Sequence, residues 1–303
     1  MPQMIRVQVP ATTANLGPGF DCLGMALELY NIVELVQVPY GLTIEVTGEG
    51  TADIPRDVDN LVFKSAQRVF EQVDFKPTGL KIRLINQIPV ARGLGSSTAA
   101  IIGGVIAANL LTGGRLSLKD IISLASSIEG HPDNVAPAVL GGIVISVQAD
   151  GELKNMKIQP PQGIRCVVAV PDFILATKTS RDVLPSQVAF QDAIFNLGRV
   201  ALLVAALQRG DFSLLGTAME DHLHQPFRSV LVPGMKKVLA AAKLAGARGV
   251  TLSGAGPSVI ALADGNFDLI ARVMGDTFRQ NGVKCRTLVL KPSPIGARAL
   301  EVK

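Results

Sequence analysis

No tryptophan occurs in the 303 residues, aromatic side chains make up only 4%, and the 29 lysines and arginines are spread along the chain without a cluster. Nucleic-acid surfaces concentrate positive charge and often stack bases on aromatic rings, so that class of partner is not expected. Cysteine is also scarce: Cys22, Cys166 and Cys285 are odd in number, far apart and set in apolar stretches. That pattern fits neither a disulfide framework nor a thiolate metal site, and it suits a reducing cytoplasm. No uninterrupted apolar run reaches the roughly 18 residues that span a bilayer. The longest, Ala99 to Leu111, is broken by glycines and an asparagine and reads as a buried helix, so no membrane partner is expected. Met1 to Arg6 leads straight into an alternating stretch, without the basic, apolar and cleavage regions of a leader peptide. Against these absences stand 48% hydrophobic residues, enough for an ample core in one large or two moderate domains. The net charge of +4 suits a small anionic ligand.

The first third alternates in the manner of strands at Met4 to Pro10, Ala26 to Val38 and Leu42 to Thr47. From Asn60 to Val73, apolar residues recur at three- and four-residue intervals, which predicts a helix with Asn60 as its N-cap. A strand over Leu80 to Ile85 then enters a glycine-rich turn and the apolar helix ending at Leu111. Ser117 to Ile128 predicts a further helix, and Ile143 to Val147 and Ile164 to Val170 predict strands flanking a charged stretch. Pro160-Pro161 marks the expected junction between a domain of residues 1–160 and one of residues 161–303. Beyond it, helices are expected at Gln187 to Gln208, Phe212 to Met219, Gly234 to Ala245 and Phe267 to Arg279. Strands are expected at Gly249 to Leu252, Val259 to Leu262 and Cys285 to Leu290. This irregular mixture indicates an α+β fold.

Three stretches carry chemistry. Gly93-Leu94-Gly95-Ser96-Ser97-Thr98, at the mouth of a helix, has the makings of an anion cradle: glycines permit close backbone approach, amides point outward, and the helix dipole favours negative charge. Alone it reads equally well as a helix-start turn with serine caps. The P-loop spacing Gly-x-x-x-x-Gly-Lys-Ser/Thr and the protein-kinase motif set are both absent. The polar, glycine-rich run Pro10 to Asp21 and the loop Ser253-Gly254-Ala255-Gly256-Pro257-Ser258 would each pass singly as an ordinary loop.

Together, in this order, the three stretches resemble the three signature motifs of the GHMP kinases, over nearly the whole chain from Val9 to Pro257. Asn15 to Leu27 and Glu129 to Gly142 are similar to the homoserine kinase branch of that family. The resemblance implies a two-domain α+β GHMP kinase fold, with an N-terminal domain like ribosomal protein S5 domain 2 and a ferredoxin-like C-terminal domain. It implies ATP-dependent phosphorylation of the side-chain hydroxyl of L-homoserine, a step of threonine biosynthesis, with ATP and Mg²⁺ and a homodimeric assembly.

Carried over residue by residue, it implies that Pro89, Val90, Ala91, Arg92, Gly93, Leu94, Gly95, Ser96, Ser97 and Thr98 wrap the ATP phosphates and that Asn60 lies near the adenine. Ser97 and Glu129 would hold Mg²⁺, for which hard oxygen ligands are suited. Asn15 would meet the substrate hydroxyl and Asp21 its ammonium, with His131 and Thr177 beside the substrate and Arg181 and Arg228 on its carboxylate. His222 and His224 read as packing or surface residues. Asp133 is the nearest candidate base, but it falls in a stretch matched as structural. The expected reaction is therefore direct in-line attack by the hydroxyl, driven by positioning and electrostatics. Alternatives within the fold are a kinase for another small alcohol, or a catalytically silent sensor.

Overall fold

The structure, a computed structural model, describes residues 4–302. Its first sheet is built from β1 (Met4–Ala14), β2 (Leu23–Gln37), β3 (Gly41–Gly48), β4 (Gly79–Asn86), β5 (Ile143–Ala149) and β6 (Glu152–Ile158). The 15-residue β2 forks, its Ile32–Gln37 half pairing antiparallel with β4 and Leu23–Met25 with β5, so one strand serves two branches. Helix α1 (Leu61–Gln72) links β3 to β4, which run parallel. As its apolar spacing predicts, α1 buries Val62, Ala66, Val69 and Phe70 on one face, and the Asn60 side chain caps it by accepting from the Val62 and Phe63 amides.

Helices α2 (Ser96–Leu111), α3 (Leu118–Glu129) and α4 (Pro132–Leu140) cover the sheet. The glycines that interrupt the apolar run of α2 are contact points: a Cβ on Gly104 would lie 2.5 Å from the Val62 carbonyl oxygen, so this position sets how closely α2 approaches α1. Ser117 and Asp120 form a capping box that starts α3.

The second sheet has the order β10-β7-β9-β8, all antiparallel, from β7 (Arg165–Pro171), β8 (Gly249–Leu252), β9 (Val259–Ala263) and β10 (Cys285–Leu290). Five helices precede β8: α5 (Thr177–Asp182), α6 (Phe190–Arg209), α7 (Leu215–Ala218), α8 (Gln225–Arg228) and α9 (Met235–Leu244). Helix α10 (Phe267–Gln280) joins β9 to β10. The two-residue strand period divides β7 between two cores: Cys166, Val168 and Val170 face the core shared with the first sheet, and Val167 and Ala169 face the one under α9 and α10. The chain then returns to its beginning, since β11 (Arg298–Val302) pairs antiparallel with the outer edge of β1. Residues 298–302 therefore complete the first sheet, an exception to a purely sequential division at Pro160-Pro161.

Besides the short helices α5 and α8, three elements escaped the sequence patterns for identifiable reasons. Helix α4 carries Pro132 in its first turn, where a missing amide proton costs nothing, and Pro137 inside, so it reads as a broken segment. Strands β6 and β11 lie on open flanks of the sheet with mostly exposed side chains, largely polar or charged in β6, and neither buries an apolar stripe. Helix α6 is apolar without being an uninterrupted apolar run. By length and composition alone this 20-residue helix could cross a membrane, with a mean hydropathy of 1.4, although it carries Asp192 and Arg199.

Candidate active site

A cleft of about 330 Å³ opens where the loop after β4, the loop between β1 and β2 and the loop between β8 and β9 meet. It is lined by Asn15, Asp21, Asn60, Val90, Ala91, Arg92, Gly93, Gly95, Ser96, Ser97, Glu129, His131, Thr177, Arg181 and Arg228, so these candidates from six separate stretches meet in one place. Three others stand back from it. Pro89 lines a neighbouring cavity, and Leu94 and Thr98 are fully buried behind the loop.

The glycine-rich loop takes its shape from three left-handed residues, Ala91 (φ 53°), Gly93 (φ 75°) and Gly95 (φ 70°). Ser253, wholly buried, donates from Oγ to the Gly93 carbonyl at 2.6 Å and contacts Thr13 Oγ1 at 2.9 Å, joining all three motifs through one hydroxyl. The serines do not act as caps. Gly95 is the N-cap of α2 and no side chain accepts from its first turn, which leaves those amides available to an anion. Ser97 Oγ and Thr98 Oγ1 instead each donate to Glu129 Oε1 at 2.8 Å, bringing together the two residues proposed for the cation. A Cβ on Gly95 would lie 2.0 Å from Thr12 Oγ1, and Thr12 is itself held by Asn134 at 2.7 Å. Gly95→Val is thus expected to abolish measurable binding of an ATP analogue in isothermal titration and to lower Tm. Wild-type affinity would remove the loop from nucleotide recognition.

At the apolar end of the cleft are Ile54, Pro55, Leu61, Val62 and Val90, a surface suited to a flat base. Asn60 lies among them, but its amide is already engaged: besides capping α1, Nδ2 donates to the Pro55 carbonyl at 2.7 Å. Its place in the site is to hold this wall in shape.

The opposite end is charged. Asn15, Leu16 and Asp21 all have positive φ, so the loop after β1 is tightly wound. Asn15 Nδ2 donates to the Gly254 carbonyl at 3.0 Å and its Oδ1 accepts from the Asp21 amide at 3.1 Å. Asp21 and Arg181 form a two-pronged ion pair at 2.6 and 2.9 Å, so the two residues expected at opposite ends of a ligand hold each other. Arg228 differs. It is 2% exposed, and its Nε and Nη1 donate to the Ser180 and Gly254 carbonyls at 3.0 and 3.1 Å. Among the described residues no carboxylate lies within ion-pair distance of it. Burial, with the Arg181 charge adding to it, lowers its pKa to about 10.

His131 Nδ1 lies 2.5 Å from Asp133 Oδ1. Burial opposes its protonation, but the Asp133 hydrogen bond and the charges of Asp133 and Glu129 outweigh burial and raise its pKa.

Three contributors went unrecognised in the sequence. Phe20 lies against both arginines, its ring centre 5.4 Å from the Arg181 guanidinium and 5.1 Å from that of Arg228. Ser253 had only its place in a loop to mark it. His224 stands four residues before Arg228 in a short helix, the spacing that puts two side chains side by side.

Residues 60–142 match the GHMP kinases N-terminal domain and residues 203–280 the GHMP kinases C-terminal domain. The homoserine kinase of Moorella thermoacetica is 48% identical over 96% of this chain and 98% of its own length. That of Desulfitobacterium hafniense is 43% identical over 98% of this chain and its full length. Among solved structures, the homoserine kinase from Cytophaga hutchinsonii superposes with a TM-score of 0.88 at 34% identity, over 98% of this chain and 97% of that one. The Leishmania (L. major) mevalonate kinase in complex with R-mevalonate, at 17% identity and a TM-score of 0.71 over 94% of this chain and 95% of that one, shares the fold.

Proposed function

The chain belongs to the homoserine kinase family of the GHMP kinases, and on that premise we propose that it transfers the γ-phosphoryl group of ATP to the side-chain hydroxyl of L-homoserine, giving O-phospho-L-homoserine for threonine biosynthesis. The observation that carries this reading is Arg228, a buried cation without a carboxylate of its own, lining the same cleft as an uncapped helix start. A buried guanidinium stays costly until an anion reaches it, and a ligand carboxylate meets that need.

Magnesium fits the residues present. Ser97 and Glu129 offer oxygen donors only, and among the described residues no group of three or more His, Cys, Asp or Glu side chains is arranged to hold a metal. Mg²⁺ ordinarily takes one or two protein ligands and fills its shell with phosphate oxygens and water. Bound there, it would neutralise phosphate charge. The chain's own contribution is positional: α2 directs its free amides at the phosphates, and Asn15, fixed by Gly254 and Asp21, orients the hydroxyl. His131 and Thr177 flank the substrate. With no dedicated carboxylate base, the hydroxyl oxygen attacks the γ-phosphorus in line as the bond to the ADP oxygen breaks, the hydroxyl proton passes to an oxygen of the transferred phosphoryl group, and positioning supplies the rate.

Homoserine would replace an ion pair with two: its ammonium takes Asp21, and its carboxylate takes Arg181 and Arg228. A ligand carrying only one of these charges would break the Asp21–Arg181 pair and leave a partner alone. Wild type is therefore expected to discriminate against 4-hydroxybutanoate, which lacks the ammonium, and Asp21→Asn should narrow that preference about tenfold or more, mainly by raising the KM for homoserine. An unchanged preference ratio would detach Asp21 from the ammonium. A coupled ADP-release assay over a panel of hydroxyl-bearing amino acids and other small alcohols tests the whole reading. Homoserine should give the highest kcat/KM; preferential turnover of an alcohol without the amino-acid group would replace it.

A further inference from the structure

His224 is completely buried and has two distinct polar contacts. Its Nε2 lies 2.7 Å from the Gly17 carbonyl oxygen, and its Nδ1 lies 3.3 Å from Nη1 of Arg228. The partners decide the tautomer. A carbonyl can only accept, so Nε2 carries the proton; a guanidinium can only donate, so Nδ1 offers its lone pair. The Asp221 carboxylate, 3.5 Å from Nε2, is too distant to compete with Gly17 for that proton. Burial, partly offset by Asp221, depresses the imidazole pKa, in keeping with an uncharged ring beside a buried cation.

Both ends of this bridge are anchored. Asp221 accepts from the backbone amides of Leu223, His224 and Gln225, which fixes the turn from which the imidazole projects. Gly17 (φ 89°) is pressed against the chain at Met219, where a Cβ would lie 2.4 Å from the carbonyl oxygen. Phe20 closes the other side, its ring centre 5.2 Å from that of His224.

We propose that His224 is a positioning residue: fixed in its Nε2–H tautomer, it ties the guanidinium of Arg228 to the Gly17 carbonyl and so sets the direction from which a ligand carboxylate is read. This rests on the reading of Arg228 given above. It makes the carboxylate site and the loop bearing Asn15 and Asp21 one mechanical unit, although the two are about 200 residues apart.

Two substitutions separate the two halves of the bridge. His224→Asn retains a polar atom at the Nδ1 position and can still accept from Arg228; His224→Gln retains one at the Nε2 position and can still donate to Gly17. Because each variant breaks one link of the bridge, both should raise the homoserine KM roughly tenfold. In both, the ATP KM and the KM for homoserinol, which lacks the carboxylate, should stay unchanged. A homoserine KM within about threefold of wild type in either variant, or ATP and homoserine constants that move together, would reduce His224 to a packing residue. Should either variant fail to fold, nitrogen-15 NMR of the wild-type imidazole decides: a protonated Nδ1 near neutral pH overturns the bridge. If wild type does not phosphorylate homoserine, the substrate reading fails on its own, and the tautomer is still measured.

Discussion

Arg228→Leu should raise the homoserine KM by one to two orders of magnitude while leaving the ATP KM nearly unchanged. The lost contact is a charge-assisted hydrogen bond from a buried guanidinium, a type worth about 1.5–3 kcal/mol. Stability is pulled in opposite directions. Leucine removes a buried charge that has no anionic partner among the described residues, but it also takes a donor from the Ser180 carbonyl, at roughly 1–3 kcal/mol for a group left unsatisfied, while the Gly254 carbonyl keeps Asn15 as its donor. The Tm change should consequently be modest beside the kinetic one. Selectivity is the sharper readout, because wild type should strongly prefer homoserine to homoserinol and the variant should prefer it far less. Equal losses on both compounds, or a loss concentrated on ATP, would separate Arg228 from the carboxylate and remove the main physical support for an amino-acid substrate.

A still larger fall in turnover is expected for Glu129→Gln, on the order of 10²–10³-fold, the scale on which one positioned electrostatic group contributes. The substitution is nearly isosteric, and a glutamine oxygen can still accept from Ser97 and Thr98, so the junction of α2 and α3 should persist with little change in Tm. What disappears is the negative charge. Binding of an ATP analogue should weaken without vanishing, and the activity lost should not return as Mg²⁺ is raised to saturation. Wild-type turnover at saturating Mg²⁺ would exclude Glu129 as a cation ligand.

Much of this site was legible because its residues sit in short, chemically distinctive runs. The left-handed glycines of the glycine-rich loop announce themselves, and the Ser97–Glu129 contact required only that α2 and α3 adjoin. Other features depend on contacts no local pattern encodes. Nothing near Asp21 reveals that Arg181, 160 residues away, closes on it, and nothing near His224 reveals the Gly17 carbonyl it meets. His224 is buried, as a packing residue would be, and its contact with the Gly17 carbonyl exists only once the loop after β1 is folded against it. Among the fold elements, those that bury an apolar stripe were readable. Strands β6 and β11 were not, because a strand lying on an open flank of a sheet is defined by its neighbour's hydrogen bonds more than by its own side chains.

The pairing of β11 with β1 bears on how the protein is made. Gln8 and Arg298, joined across that ladder, are 290 positions apart, so during synthesis the outer edge of β1 stays open until almost the whole sequence above has left the ribosome. For that interval an apolar strand that runs directly into the tightly wound loop at Asn15 presents unpaired amides and carbonyls to any other nascent chain. Loss of residues 298–302 by proteolysis would restore that exposure in the finished enzyme. Self-association would then arise from damage to a segment that does not line the cleft.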